Sequence, residues 1–317
     1  MWKAGFLCDQ GVECAAEHFM PSNGGAAMTG TNNGSSLKWK TLAKKRQSAT
    51  KGLPPGTEAL QWVANTVTLI YGDRDAVLVD TFLSADHTRE LADWIAASGK
   101  NLIAIYVTHA HGDHFFGIGM LEERFPGARA VATAEVIDGM RHQISPEYMS
   151  RFWNPRFPGQ LPERLTVAAE IRGGGIDLEG HALVPVRLGH TDTADSTCLH
   201  VPSVGLVVAG DAVYNGVHPY LAETNAGTRR EWIAALDTIE GLQPMTVIAG
   251  HKVPASDDSP RHVAATRAYI RDFDRLNAET QTAEELYDRM LQLYPDRVNP
   301  GSLWGAAHAA KSMSVSA

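Results

Sequence analysis

Three histidines and an aspartate fall within six positions of the segment VTHAHGDHFFG, which directly follows the apolar run NLIAIYV. The run is typical of a buried strand. His109 and His111 stand two residues apart, so in an extended segment both imidazoles point the same way. Asp113 and His114 follow where the strand gives way to a loop. Because imidazole and carboxylate are ligands for zinc, iron and manganese, the stretch predicts a metal site at a strand end.

Three later segments repeat one pattern, in which an apolar strand and a glycine precede a ligand-type residue. These are His190 in PVRLGHTDTADS, Asp211 in GLVVAGDAVY and His251 in MTVIAGHKVP. Glycine permits a sharp exit from a strand and a close approach of the backbone. A lone histidine is more often a core or surface residue than a ligand, but three such matches favour one shared site.

The elements that must position these residues alternate in two similar halves from about residue 58. Each half has strand patterns followed by helix patterns, which predicts two packed β-sheets with helices on their outer faces. Ser84 is a candidate N-cap, and Thr282 with Glu285 predicts a capping box. The main predicted strands are at about 102–107, 165–171, 176–188, 196–201 and 205–210, with helices at 228–240 and 260–277.

The first part of the chain has a different composition. Residues 1–55 are rich in Gly, Ser, Asn and Lys and show no sustained period, so we expect a flexible N-terminal extension. Residues 56–317 are then expected to form one folded domain, with C-terminal helices over about 258–312.

Composition and charge narrow the classes of partner. The 317 residues are 44% hydrophobic and carry a formal net charge of −8, with an isoelectric point of about 5.9. The chain can bury a sizeable core, and it has no general basic field for nucleic acid or an anionic membrane. We therefore expect a small-molecule substrate and no nucleic-acid or membrane partner, and a homodimer stays open.

The cellular location follows from what the sequence lacks. The N-terminus has no signal-peptide pattern, and no apolar run approaches the ~20 residues that a bilayer needs. Cys8, Cys14 and Cys198 do not make a disulfide framework. The expected compartment is the cytoplasm.

The motif HxHxDH, followed by a distant His, a distant Asp and a final His, resembles the metallo-β-lactamase-fold hydrolase superfamily. The resemblance runs from about residue 60 to 255. It implies a four-layer αβ/βα sandwich of two mixed β-sheets flanked by helices, with the site along the edge where the sheets meet. Asp80 in LVDTF matches the early Asp of the family, which supports the metal loop from behind the ligands.

The same resemblance implies a dinuclear site. His109, His111 and His190 would hold one metal, Asp113, His114 and His251 the other, and Asp211 would bridge them. The implied cofactors are two divalent metal ions, with zinc favoured over iron, manganese or cobalt. A hydroxide between the metals would attack a carbonyl group of the substrate, with Asp113 among the catalytic residues.

Details of the motifs narrow the branch of the superfamily. True β-lactamases of this fold lack the bridging aspartate, and the flavodiiron branch has a glutamate where His111 stands here. The chain therefore resembles the members that keep the bridging aspartate, which are glyoxalase II-type thioesterases, lactonases and related ester hydrolases. Tyr214 lies three residues after Asp211, a spacing similar to that of acyl-homoserine lactone lactonases, where the tyrosine contacts the substrate carbonyl. The alternative is that Tyr214 only packs.

Aromatic residues near the motifs are candidates for substrate contact. Tyr148 and Trp153 lie in a proline-limited segment, and His218 and Tyr220 follow Asp211 in the chain. Aromatic walls would suit an apolar or aromatic acyl group, whereas the alternative for each is packing. Two other classes stay open, namely a sulfur dioxygenase with one iron and a non-catalytic binding protein of the same fold.

Overall fold

A long antiparallel hairpin begins the computed structural model, which describes residues 36–49 and 62–314. Strand β1 (Lys38–Gln47) pairs with β2 (Trp62–Tyr71) over its whole length. On the other edge of β2, β3 (Asp75–Val79) adds an antiparallel strand, and β4 (Asn101–Tyr106), β5 (Arg129–Ala132) and β6 (Ala169–Glu170) continue in parallel. These six strands form the first half-sheet.

The second half-sheet comes from the later part of the chain. It contains β7 (Ile176–Leu178), β8 (His181–Gly189), β9 (Ser196–Val201), β10 (Leu206–Asn215) and β11 (Thr246–Lys252). The strand order is β6-β5-β4-β3-β2-β11-β10-β9-β8-β7. β11 joins β2 through one register pair, His251 opposite Asn65, so the two half-sheets form a single curled sheet.

Helices cover the outer face of each half-sheet. The first half carries α1 (Ala85–Ala96), α2 (Gly112–Phe115), α3 (Ile118–Arg124), α4 (Ala134–Gln143), α5 (Pro146–Tyr148), a π-helical turn (Met149–Trp153) and α6 (Asn154–Arg156). The second half carries a 3-10 turn (Pro202–Val204), α7 (Ala226–Gly241), α8 (Arg261–Glu279), α9 (Ala283–Leu293) and α10 (Pro300–Ser314). None of the described helices is long and apolar enough to cross a bilayer.

Three apolar clusters correspond to the interfaces between layers. One lies between the half-sheets and contains Val79, Tyr106, Val208 and Ile248. A second packs the first half-sheet against its helices, and a third packs the second half-sheet against α7 to α10. The predicted four-layer αβ/βα sandwich is therefore confirmed, with the two sheets joined at one edge.

The expectation of a flexible extension over residues 1–55 is wrong for Lys38–Gln47, which form β1. The many lysines hid this strand, because their aliphatic stems can cover apolar surface while the charge stays in water; the Lys40 ammonium lies 4.3 Å from the centroid of the Trp94 ring. The predicted domain boundary between residues 55 and 56 lies outside the described residues.

The predicted helix caps are confirmed, whereas two predicted strands differ from those in the structure. Ser84 accepts a hydrogen bond from the backbone of His87, and Thr282 and Glu285 form the predicted capping box. The predicted strand over 165–171 shrinks to Ala169–Glu170. The predicted strand over 176–188 is a hairpin instead, because Glu179 and Gly180 turn the chain with φ of 53° and 87°.

Candidate metal centre

The first cluster of ligand-type side chains contains His109, His111, Asp192 and Asp211, all buried, with ligand-type atoms within 4.8 Å of one another. His109 and His111 follow β4, Asp192 follows β8, and Asp211 lies in β10. His111 Nδ1 lies 2.9 Å from Asp192 Oδ2, and His109 Nε2 lies 3.6 Å from the same oxygen. Strand ends from both half-sheets therefore meet at one point.

The second cluster contains Asp113 and His114 of α2 and His251 of β11. Asp113 Oδ2 lies 3.8 Å from His114 Nε2 and 3.6 Å from His251 Nε2. Asp211 contacts this cluster as well, since its two oxygens lie 3.3 Å from His114 Nε2 and 2.9 Å from His251 Nε2. It is also 3.9 Å from His109 Nε2, so Asp211 lies between the two clusters.

Two glycines allow this close packing of strand ends. Gly210 has φ of +53°, and a Cβ there would lie 2.5 Å from Thr108 Oγ1. A Cβ on Gly250 would lie 2.2 Å from Asp211 Oδ1. Any larger residue would therefore displace either the loop after β4 or the carboxylate of Asp211.

Each histidine of the clusters has its second ring nitrogen next to a polar group. The pairs are His109 Nδ1 with Thr108 Oγ1 at 3.0 Å, His111 Nε2 with Glu223 Oε1 at 3.3 Å, His114 Nδ1 with Asp80 Oδ2 at 2.9 Å, and His251 Nδ1 with the Ala64 carbonyl at 3.0 Å. Such partners fix the tautomer and orientation of a ligating imidazole. The remaining nitrogen of each ring faces the clusters.

Asp80 lies behind the clusters rather than in them. Its carboxylate accepts hydrogen bonds from the Thr108 backbone and hydroxyl, both at 2.8 Å, in addition to its contact with His114. It is 1% exposed and has φ of +62°. Asp80 thus connects β3 to the loop that carries the first four candidate ligands.

The residues present fit divalent metal ions. His109 Nε2, His114 Nε2 and Asp211 Oδ1 are buried and have no hydrogen-bond partner among the described residues. Buried polar atoms rarely remain unpaired, and unshared electron pairs on nitrogen and oxygen that converge on one point are what a divalent cation binds.

Charge interactions in the clusters also favour the binding of a cation. Burial alone would raise the pKa of Asp113, but the Arg46 guanidinium and His114 outweigh it and hold the pKa well below its usual range. Burial likewise opposes a charged His114, yet Asp211 and Asp80 raise the pKa of this histidine to about 10. The carboxylates therefore create a strong local preference for positive charge.

The structure places Asp192, and not His190, in the first cluster. His190 is half-buried, and its Nδ1 lies 3.0 Å from the Thr191 carbonyl. Asp192 is fully buried, and its Oδ1 accepts a hydrogen bond from the Thr191 hydroxyl at 2.8 Å. The chain leaves β8 at Gly189 with φ of +72°, and a few residues later the aspartate faces the histidines. His190 therefore lies outside this cluster, and the ligand role expected for it stays a prediction.

Tyr214 lies against both Asp211 and His251. Its hydroxyl donates to Asp211 Oδ2 at 2.9 Å, its ring stacks on His251 with centroids 5.5 Å apart, and it is 1% exposed. Burial and the charge of Asp211 raise the pKa of this phenol well above its usual value. Tyr214 is therefore a neutral donor beside the clusters.

A pocket of about 570 Å³, including the part open to solvent, adjoins the clusters. Its wall includes the predicted substrate residues Tyr148, Trp153 and Tyr220. Trp153 is nevertheless 4% exposed, and its indole N–H donates to Gln143 Oε1 at 2.8 Å. The other lining residues near the clusters are Arg46, Ser48, Ala49, Val63, Phe152, Tyr214, Glu223, Asn299 and Ser302.

The fourth predicted substrate residue, His218, does not line this pocket. It is fully buried, and its Nδ1 lies 2.8 Å from the Tyr269 hydroxyl. The prediction failed because a position just after a ligand in sequence does not fix the direction of the side chain.

Sequence reasoning missed three polar residues at the site. Arg46 Nη2 and Asn65 Nδ2 each donate to Asp113 Oδ2 at 2.7 Å. Glu223 reaches His111 and also accepts from the Thr193 hydroxyl at 3.0 Å. All three lie outside the ligand motifs, and no spacing rule connects them to the residues they contact.

The fold and the two clusters together define an αβ/βα sandwich with a candidate metal centre at the edge where its sheets meet. The sequence model of the metallo-beta-lactamase superfamily matches residues 60–251, and the chain belongs to this superfamily. A curated relative, the uncharacterized protein YobT of Bacillus subtilis (strain 168), is 22% identical over 192 residues, which are 58% of this chain and 81% of the relative.

Solved structures share the fold at low identity. The metallo-beta-lactamase family protein TTHA1429 of Thermus thermophilus aligns with a TM-score of 0.59 and 22% identity over 87% of this chain and 94% of its own. A metallo-beta-lactamase from Pontibacter korlensis aligns with a TM-score of 0.55 and 16% identity, and the alignment covers 76% of this chain and 98% of that protein. The metallo-beta-lactamase FIM-1 of Pseudomonas aeruginosa, in a mono-zinc form, aligns with a TM-score of 0.51 and 17% identity. This alignment covers 75% of this chain and 92% of FIM-1.

Proposed function

We propose that this protein is a hydrolase that binds two divalent metal ions and cleaves an ester, lactone or thioester bond of a small molecule. The observation that carries the proposal is the position of Asp211, whose carboxylate contacts histidines of both clusters. A carboxylate in that place can bridge two cations.

The charge of the site supports two metal ions. The clusters and the groups that contact them include five carboxylates, those of Asp80, Asp113, Asp192, Asp211 and Glu223, and one guanidinium, that of Arg46. Four negative charges remain, which two divalent ions would balance. Zinc suits the nitrogen and oxygen donors, and iron, manganese or cobalt would be accepted by the same set.

Each cluster would hold one ion. His109, His111 and Asp192 would bind the first, Asp113, His114 and His251 the second, and Asp211 both. Divalent metal ions at such a site supply Lewis acidity towards a carbonyl oxygen and lower the pKa of water towards neutrality. The protein contributes the fixed orientation of the ligands, through the contacts of Asp80 with His114 and of Glu223 with His111.

The residues beside the clusters would bind and orient the substrate. Tyr214 presents a neutral hydroxyl at Asp211, from which it can turn to donate a hydrogen bond to a carbonyl oxygen that gains negative charge. Tyr148, Phe152 and Tyr220 give the pocket an aromatic wall, which favours an apolar or aromatic acyl part.

The cellular location and the partners remain predictions. We expect a cytoplasmic protein that binds neither nucleic acid nor a membrane, with a homodimer left open. The alternatives are a dioxygenase with one iron and a non-catalytic binding protein. They differ from the proposal in metal content and in turnover.

The first experiment is metal analysis of the purified protein combined with hydrolysis assays on lactones, thioesters and aryl esters. We expect about two metal ions per chain, by the charge balance above, and turnover of one substrate class. Asp113→Ala and His114→Ala should abolish turnover while the circular dichroism spectrum is retained. His200→Ala, which changes a histidine outside both clusters, is the control.

Two different outcomes would contradict the proposed function. Near wild-type hydrolysis by either variant in metal-free buffer would refute a role for the second cluster. One iron per chain with oxygen uptake and no hydrolysis would support the dioxygenase instead.

A further inference from the structure

We propose that Arg46 weakens the binding of the metal ion in the second cluster, so that the two clusters fill one after the other as metal is added. This inference rests on the proposed function, because it requires both clusters to bind metal. It concerns a residue of β1, a strand that lies outside the matched superfamily region.

Arg46 binds the same carboxylate oxygen that faces the second cluster. Asp113 Oδ2 lies 3.6 Å from His251 Nε2 and 3.8 Å from His114 Nε2. Arg46 Nη2 donates to this oxygen at 2.7 Å, and Asn65 Nδ2 donates to it at the same distance. Two hydrogen bonds thus compete with a metal ion for its electron pairs.

The guanidinium of Arg46 is also held in place by other groups. Its Nε donates to Asn65 Oδ1 at 2.8 Å, and Nη1 donates to the Gln47 carbonyl at 2.9 Å. The side chain is 12% exposed, and its guanidinium carbon lies 5.7 Å from the centroid of the Phe157 ring. Because these contacts are independent of Asp113, the positive charge would stay near the cluster when a metal ion arrives.

A fixed positive charge at this position would repel a cation in the second cluster. A zinc ion bound to a carboxylate oxygen lies about 2 Å from it, so such a cation would come within about 5 Å of the guanidinium. Repulsion between a single and a double positive charge at that distance lowers affinity by about tenfold even with the dielectric constant of bulk water. Partial burial makes the effect larger.

The second cluster combines the Asp80 carboxylate beside His114 with the Arg46 guanidinium beside Asp113, whereas the first cluster contacts carboxylates and a hydroxyl. It contains Asp192 in addition to Asp211, its His111 is next to the carboxylate of Glu223, and its His109 is next to the Thr108 hydroxyl. The groups around it are therefore negative or neutral, and we infer that it binds its metal ion first.

The test is a titration of the metal-free protein with Zn²⁺, followed by isothermal titration calorimetry and by competition with a chromophoric chelator. The wild type should bind two ions in two resolved steps. Arg46→Gln should raise the affinity of the second step by at least about tenfold, and the first step should stay unchanged.

Two further variants separate charge from geometry. Arg46→Lys keeps the positive charge and should keep the weak second step. Lys44→Gln removes a charge from the same strand, where the lysine pairs with Glu90 rather than with a candidate ligand, and should behave as the wild type. Should Arg46→Gln fail to fold, Arg46→Met serves in its place, because it keeps the apolar stem beside Phe157.

The outcomes distinguish the inference from the proposed function. If the wild type binds two ions and hydrolyses a substrate, but loss of the Arg46 charge leaves the second step unchanged or weaker, the inference is overturned and the function stands. If the wild type never binds a second ion, and Arg46→Gln does not bind one either, the dinuclear function itself is refuted.

Discussion

Asn65 and His251 face each other as backbone partners at the junction of the two half-sheets, and both side chains contact Asp113. Asn65 Nδ2 donates to Asp113 Oδ2 at 2.7 Å, and His251 Nε2 lies 3.6 Å from the same oxygen. The register of β2 against β11 therefore sets the geometry of the second cluster. A shift of β2 by one residue would turn Asn65 to the opposite face and away from Asp113.

Asn65→Ala should destabilise the metal-free protein. The change removes a buried amide that donates to a charged carboxylate and accepts from Arg46 Nε, and hydrogen bonds to charged groups contribute about 2 kcal/mol. We expect a loss of that order in the free energy of unfolding, measured by urea denaturation. Thr68→Val is the control on the same strand, because the Thr68 hydroxyl is buried without a partner among the described residues. Equal losses in the two variants would contradict the role given to Asn65.

Asp192→Ala and His190→Ala distinguish the structure from the family pattern. Asp192 lies in the first cluster and His190 does not. Asp192→Ala should therefore lose about one metal ion per chain and most of its activity, by at least about 100-fold in kcat, as for loss of other groups that stabilise developing charge. His190→Ala should retain both ions. Metal analysis after gel filtration gives the answer, and loss of metal only in His190→Ala would show that His190 is the ligand.

The predictable part of the site is the part encoded in short stretches of sequence. His109, His111, Asp113 and His114 lie within six residues after β4, so the local pattern was enough to bring them together. Asp211 and His251 each follow a glycine that the packing requires.

The unpredictable part depends on contacts between distant segments. Arg46 reaches Asp113 across 67 residues, through a strand whose lysine-rich composition is typical of an extension. The exchange of His190 for Asp192 depends on the backbone path after Gly189, where φ is +72°. Neither pairing leaves a periodic or spacing signal, because both are decided by tertiary packing.

Tyr214→Phe tests whether the phenol acts on substrate or only packs. The ring would remain stacked on His251, and only the hydrogen bond to Asp211 Oδ2 would be lost. If the hydroxyl donates to the substrate carbonyl as negative charge develops, kcat should fall by about 100-fold with little change in KM. Steady-state kinetics at full metal occupancy provide the measurement. An unchanged kcat with lower thermal stability would assign the hydroxyl to packing alone.

His218→Gln should change the pH dependence of stability rather than substrate binding, since His218 lies outside the pocket. Burial and the neighbouring charge of Arg297 lower the pKa of His218 from its ordinary value to about 3. An unfolded chain titrates this histidine near pH 6.5, so as the pH falls from 6.5 towards 3 the unfolded state takes up a proton that the folded state does not. Between pH 7 and pH 5 this costs the wild type about 2 kcal/mol.

The glutamine variant has no such proton to bind, so its free energy of unfolding should fall by about 2 kcal/mol less than that of the wild type over the same interval. The measurement is urea denaturation at pH 7, 6 and 5 on both proteins without metal, which cancels the titration of groups that they share. The KM of the variant should equal that of the wild type at pH 7. Parallel stability curves would show that His218 titrates normally in the folded protein. A raised KM would show that His218 contributes to substrate binding.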